Sequence, residues 1–163
     1  MKFPDTPVIW FTLLLALLLS ALSLPPQLPD WLAWLRPHWP ALFLIYWVMA
    51  VPQHVGLGTA WMLGLLLDAL HGSLLGQQAL GLLILSLLIL GAYPRLRMYS
   101  LLQQAGIMLV LLAALQAFDN WLATFTTEVV WSPLMLGPAL VSALLWPVVF
   151  LALRALRRYF RIA

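Results

Sequence analysis

The sequence predicts an all-α membrane protein, a six-helix transmembrane bundle forming a single polytopic domain over residues 1–163. Three observations predict it. Of the 163 residues, 64% are hydrophobic and 8% charged, and the mean hydropathy is +1.01. A soluble domain carries about 25% charged residues, and no water-soluble fold hides this much leucine. Second, between Leu57 and Tyr93 the chain runs 37 residues with one ionised side chain, Asp68. One helix of that length would reach about 55 Å, against a hydrocarbon core of about 30 Å. The segment must therefore turn back, and His71-Gly72-Ser73-Leu74-Leu75-Gly76 is where it does so. Third, six spans place seven of the eight Lys/Arg residues on the side of the termini, leaving only Arg36 opposite, together with Asp30, Asp119 and Glu128. The positive-inside rule then predicts cytoplasmic termini and a multi-pass membrane protein. Five spans would split the Lys2 end from the arginine-rich tail.

The elements follow in order. Helix 1 covers about 7–24; it reads as a transmembrane helix rather than a signal peptide, because the preceding segment holds only Lys2, offset by Asp5. Pro25 and Pro26 end it. Trp31, Trp34 and Leu35 then fall at i, i+3 and i+4 on one face of a short segment flanked by Asp30 and Arg36. Indole rings prefer the headgroup level, so this segment is expected to lie in the interface. Helix 2, about 40–51, is bracketed by prolines and covers only about 18 Å. Either it starts earlier, or neighbours shield it, or the bilayer thins around it. Pro52-Gln53-His54-Val55 turns the chain into helix 3, about 56–70. Helix 4 is about 77–92 and is followed by a basic turn, Pro94-Arg95-Leu96-Arg97. Helix 5 is about 101–118, and residues 119–132 form the largest remaining polar loop. Helix 6, about 133–153, is bent by Pro138 and Pro147 and runs into a basic cytoplasmic tail, 154–163.

The composition also excludes chemistries. A pI near 9.8 would hint at nucleic acid in a soluble protein; here the bases sit at span ends and report topology, so no nucleic-acid partner is expected. The chain has no cysteine, which removes disulfides, thiolate metal sites and cysteine nucleophiles. No nucleophile elbow, Walker lysine or zinc-protease signature is present. The expectation is a protein with no catalytic residue, metal or cofactor.

The residues that could carry a function are polar groups in apolar surroundings. Asp68 and His71 are three apart and share a helical face. Ala60, Gly64, Asp68 and Gly72 recur at i+4, a small-residue stripe that lets a second helix approach closely. An acid in hydrocarbon must face protein or water. Asp68 either caps the turn that ends at Gly76, accepting backbone N–H groups freed by the reversal, or contacts a partner, or relays protons. Arg36 beside Trp31 and Trp34 is either a snorkelling interfacial arginine or a binder of lipid phosphate or of a partner's carboxylate. His54 falls near the opposite face. The tail arginines either anchor to anionic lipid or dock a cytoplasmic protein.

Taken together, Arg36-Pro37-His38-Trp39, Ile45-Tyr46-Trp47, Pro52-x-His54-x-Gly56-x-Gly58-Thr59, Gly64-x-x-x-Asp68-x-x-x-Gly72-Ser73-x-x-Gly76 and Leu145-Trp146-Pro147 before a basic tail resemble the MreD family of bacterial rod shape-determining inner-membrane proteins. The resemblance spans about 31–160 and is densest over 36–81. It implies a non-enzymatic scaffold of the cell-elongation complex (the elongasome) that binds MreC directly and helps couple the MreB cytoskeleton to peptidoglycan synthesis. RodA and a class B penicillin-binding transpeptidase would be companions in the assembly, membrane lipids the surrounding ligands, and a homodimer one arrangement. It also implies an architecture similar to the substrate-binding subunits of energy-coupling-factor transporters. The alternative is a lipid- or small-solute-binding membrane protein with a pocket near Asp68 and Arg36.

Overall fold

With no water to hydrogen-bond its backbone, a chain this apolar has to satisfy its amides within helices. The computed structural model describes residues 6–22, 27, 29–126, 128 and 130–162, and among these there is no strand. Helix α1 is Thr6–Ala21, α2 a single turn at Asp30–Ala33, α3 Trp39–Ala50, α4 Leu57–His71, α5 Gln77–Leu96 and α6 Leu101–Ala123. A 3-10 turn at Pro133–Leu136 leads into α7, Gly137–Tyr159. Three of these, α5, α6 and the stretch Pro133–Tyr159, are long and apolar enough to cross a membrane; α1, α3 and α4 are apolar but shorter.

Helix α3 is the axis of the bundle. Every residue from Pro40 to Met49 is buried, and α1, α5 and α7 pack around it. This bears on two of the three explanations for its length: α3 does not begin earlier, through Arg36-Pro37, and neighbours shield it. Helices α4 and α5 form a tight antiparallel hairpin, α6 pairs with α7, and α5 bridges to α6. The close approach of α4 to α5 depends on Gly64, where a Cβ would collide with Ala79 Cα and lie 2.7 Å from its nitrogen.

Polar side chains fasten the core at chosen points. Trp47 Nε1 donates to Thr12 Oγ1 at 2.8 Å, tying α3 to α1. Trp146 Nε1 donates to Gln104 Oε1 at 3.2 Å, tying α7 to α6. Each replaces a water contact that a buried indole N–H would otherwise lack. The last carbonyls of α3, on Met49 and Ala50, accept from the Arg97 guanidinium.

Several expected boundaries move. Helix α1 ends at Ala21 rather than near residue 24, and Pro25 and Pro26 lie outside the described residues. The interfacial segment forms only one helical turn, although Trp31 and Trp34 are both exposed. Pro94 does not end α5, which continues to Leu96; its last turn delivers Arg97 to the end of α3. Residues 119–123 are helical, not loop. A polar stripe, Gln116, Asp119 and Asn120 at i, i+3 and i+4, continues the face that α6 turns inward, and Gln77 Nε2 holds the Asp119 carbonyl oxygen at 3.0 Å. Pro138 sits in the first turn of α7, where it is tolerated, and the helix runs without a break through Arg154, Arg157 and Arg158 to Tyr159. The tail arginines Arg154, Arg157 and Arg158 thus lie on a helix continuing from the last span, as expected.

Candidate functional site

The site lies at one end of the bundle, where the end of α1, the starts of α3, α5 and α7, and the ends of α4 and α6 meet. The α4–α5 reversal builds its floor. Helix α4 ends on Gly72, whose φ of +63° lies in the left-handed region, and α5 begins from Gly76 at φ +102°; glycine occupies both without steric penalty. This matches the expectation that the glycine pair marks a turn.

Asp68 is fully buried and is consumed by that turn. Its Oδ1 accepts from Ser73 Oγ at 2.7 Å and from the Gln78 N–H at 2.9 Å. Its Oδ2 accepts from the Gly76 N–H at 2.8 Å and, more weakly, from the Ala79 N–H at 3.4 Å. The carboxylate thus sits on the N-terminus of α5, where the helix dipole and unpaired amides favour a negative charge. Four donors fill the acceptor capacity of a carboxylate.

His71 does not bond Asp68. Its Nδ1 meets Gln78 Nε2 at 3.1 Å and its Nε2 meets Ser20 Oγ at 3.4 Å, so the imidazole bridges the ends of α1 and α4. Gln78 links the two predicted residues, its backbone holding Asp68 and its side chain His71. Behind this floor opens a cavity of about 340 Å³ lined on its polar side by Arg36, His38, His71, Gln77, Gln78, Gln116 and Asp119, and on its apolar side by Leu19, Trp39, Leu82 and Leu115 among others.

Arg36 is half-buried and donates to the Leu22 carbonyl oxygen. His38 donates its backbone N–H to Ser142 Oγ at 2.8 Å, and its ring Nε2 meets Gln116 Oε1 at 2.7 Å. Burial pushes this imidazole below its ordinary value, while the Gln116 bond opposes the shift. Asp119 is the residue sequence reasoning misplaced. Among the described residues its buried Oδ1 has no hydrogen-bond partner; it lies against Gly81, 3.1 Å from where a Cβ would stand.

The structure therefore brings Arg36 and His71 together at the cavity, sets Asp68 just beneath it, and keeps Trp31 and Trp34 out of its lining; the indole in the wall is Trp39. Gly64, Gly72 and Gly76 shape the hairpin. His54 is exposed in the turn before α4, at the end where Arg97 meets α3.

A family model described as rod shape-determining protein MreD matches residues 1–156. The chain belongs to the MreD family. A rod shape-determining protein MreD of Haemophilus influenzae is 36% identical over 152 residues, covering 91% of this chain and 92% of its own length. The MreD match extends over α1, beyond the region where the short patterns are dense. No solved structure matches the chain, so the implied likeness of MreD to energy-coupling-factor subunits gains no support. The MreD family is one of shape-determining proteins, and three apolar helices of spanning length agree with a place in a membrane.

Proposed function

We propose that this MreD-family chain is a non-enzymatic membrane scaffold of the cell-elongation complex. It binds MreC and helps couple the MreB cytoskeleton to peptidoglycan synthesis, in an assembly that includes RodA and a class B penicillin-binding transpeptidase. It crosses the inner membrane six times with both termini in the cytoplasm. The observation that carries this reading is the complete hydrogen bonding of Asp68. A proton relay needs a carboxyl free to exchange partners; this one is spent on building the hairpin. The arrangement of ends supports the topology, since Arg36 lies at the cavity end and Arg97 reaches the opposite end of α3.

The test is capture of full-length MreC by the full chain in nanodiscs. Binding is expected for the native chain and for an Asp68→Asn variant that remains folded. Absence of binding by the native chain sinks the scaffold, and loss of binding confined to a folded Asp68→Asn variant returns that carboxylate to a functional role. A reporter fused after Ala163 should be active only in the cytoplasm.

A second reading, that the chain also binds a lipid or small solute, is favoured by the cavity beside Arg36 and above Asp68. The two are compatible.

A further inference from the structure

We infer that the cavity is a headgroup site for a ligand carrying a primary ammonium and a phosphate diester, as in phosphoethanolamine. The inference rests on the pocket reading alone, so its failure leaves MreC binding untouched. It starts from an imbalance. Of the two acids set around the cavity, Asp68 is fully satisfied, whereas no donor among the described residues reaches the Asp119 carboxylate. Its Oδ1 is sealed against Gly81, which leaves Oδ2 as the acceptor for a ligand in the cavity that Asp119 lines. On the same cavity stands Arg36, whose one assigned bond, to the Leu22 carbonyl oxygen, leaves most of its five N–H donors unused; among the described residues no carboxylate pairs with it.

Among the described residues, an acceptor without a donor and a guanidinium without an anion line one cavity. A ligand that satisfies both must offer N–H donors at one end and anionic oxygens at the other. The ammonium of phosphoethanolamine donates to Asp119, and its phosphate accepts from the Arg36 guanidinium, which suits phosphate geometry. The remaining polar walls are occupied with one another: His38 with Gln116 and His71 with Gln78 and Ser20. These bonds hold the side chains in place and leave Asp119 and Arg36 as the two recognition points. At about 340 Å³ the cavity lies at the small end of ligand pockets, roughly 300–1,000 Å³. That suits a headgroup and leaves acyl chains to lie outside.

The chemistry distinguishes its ligand from near relatives. Phosphatidylcholine carries the same phosphate but a quaternary ammonium with no N–H to give Asp119. Phosphatidylglycerol carries the phosphate and no cation. Full-length protein in detergent is titrated with each lipid and with soluble glycerophosphoethanolamine, reading bound mass by native mass spectrometry and thermal stabilisation in parallel. Phosphatidylethanolamine should bind about tenfold more tightly than the other two lipids, the size of one charge-assisted hydrogen bond. In Asp119→Asn the preference should fall to about twofold or less, whereas Arg36→Gln, which removes the partner of the shared phosphate, should weaken all three lipids alike. Glycerophosphoethanolamine binding as tightly as the lipid names a soluble source of the same headgroup; weak binding names the membrane. Equal binding of the three lipids by the native protein overturns the inference, as does a preference that survives in a folded Asp119→Asn variant. The native lipid comparison decides the matter even where a variant fails to fold.

Discussion

Replacing Asp68 tests the role of the intramembrane carboxylate directly. Each oxygen serves two donors: Ser73 Oγ and Gln78 N–H on Oδ1, Gly76 N–H and Ala79 N–H on Oδ2. An asparagine keeps the shape but has one acceptor. Whichever way its amide turns, its NH₂ faces at least one backbone N–H that was well bonded. If the NH₂ replaces Oδ1, the Ser73 hydroxyl can rotate to accept, but the Gln78 N–H cannot; if it replaces Oδ2, the Gly76 N–H is lost. A buried donor left unpaired costs about 1–3 kcal/mol, so Asp68→Asn should destabilise by about 2 kcal/mol. Alanine removes both oxygens and strands two well-bonded N–H groups, for about 4 kcal/mol. In a chain of this length 1 kcal/mol moves Tm by about 2–4 °C, which gives falls of about 4–8 °C and about 8–16 °C. Ser73→Ala should fall between the native protein and Asp68→Asn. Fluorescence-detected size-exclusion melts in one detergent give the ranking, read as apparent values because unfolding there is irreversible. An Asp68→Asn protein melting with the native chain would refute the capping account.

Other consequences follow. Gly64→Ala should cost about 2 kcal/mol, because its Cβ collides with the Ala79 backbone rather than with a movable side chain; Gly58→Ala, with open space around it, should melt at or above the native temperature. Arg97→Lys should lose about 1–2 kcal/mol, since an ammonium cannot reproduce a guanidinium fork across the Met49 and Ala50 carbonyls, and Arg97→Ala should lose more in the same melt. Burial depresses the His38 imidazole below its ordinary value of 6.5, so as pH falls through that value the unfolded chain takes up a proton that the folded chain resists. Stability should therefore decline on the acid side of 6.5. His38→Gln should flatten the change in Tm between about pH 7.5 and pH 5.5; a variant retaining the full decline would assign it elsewhere.

The parts of the site that were legible in the sequence are those where one residue breaks a local rule. Asp68 in a 37-residue apolar run had to face protein or water, and the run was too long for one span, so the α4–α5 reversal could be read and the turn cap stood among the roles open to Asp68. Asp119 broke no such rule. It stands beside tryptophan, threonine and asparagine, which read as a loop, and nothing in the local pattern says that α6 continues to Ala123. The signal that was present, Gln116, Asp119 and Asn120 on one helical face, is a polar stripe at a helix end and looks like a solvated rim until the α5 start is placed against it. The cavity was less legible still. Its polar walls come from segments as far apart as Ser20 and Asp119, and only tertiary packing brings them together. Pro94 misled for a related reason: local stereochemistry favours a stop there, while the need to cap α3 with Arg97 rewards another turn.

The cavity follows from the length of α3. Twelve residues span about 18 Å, some 12 Å short of the hydrocarbon core. A helix ending at that depth in lipid would leave bare amides and carbonyls, so each end has to finish inside protein or against a polar cavity. At the far end the Arg97 guanidinium covers the carbonyls of Met49 and Ala50. At the near end the chain continues through Pro37 and His38, which line the cavity, with the His38 N–H held by Ser142 on α7. The longer helices α5, α6 and α7 enclose the space above this short axis. The polar lining is thus the continuation of a truncated central helix, and the same truncation that α1, α5 and α7 shield at mid-bundle makes room at one end for Arg36 and Asp119 to face a ligand.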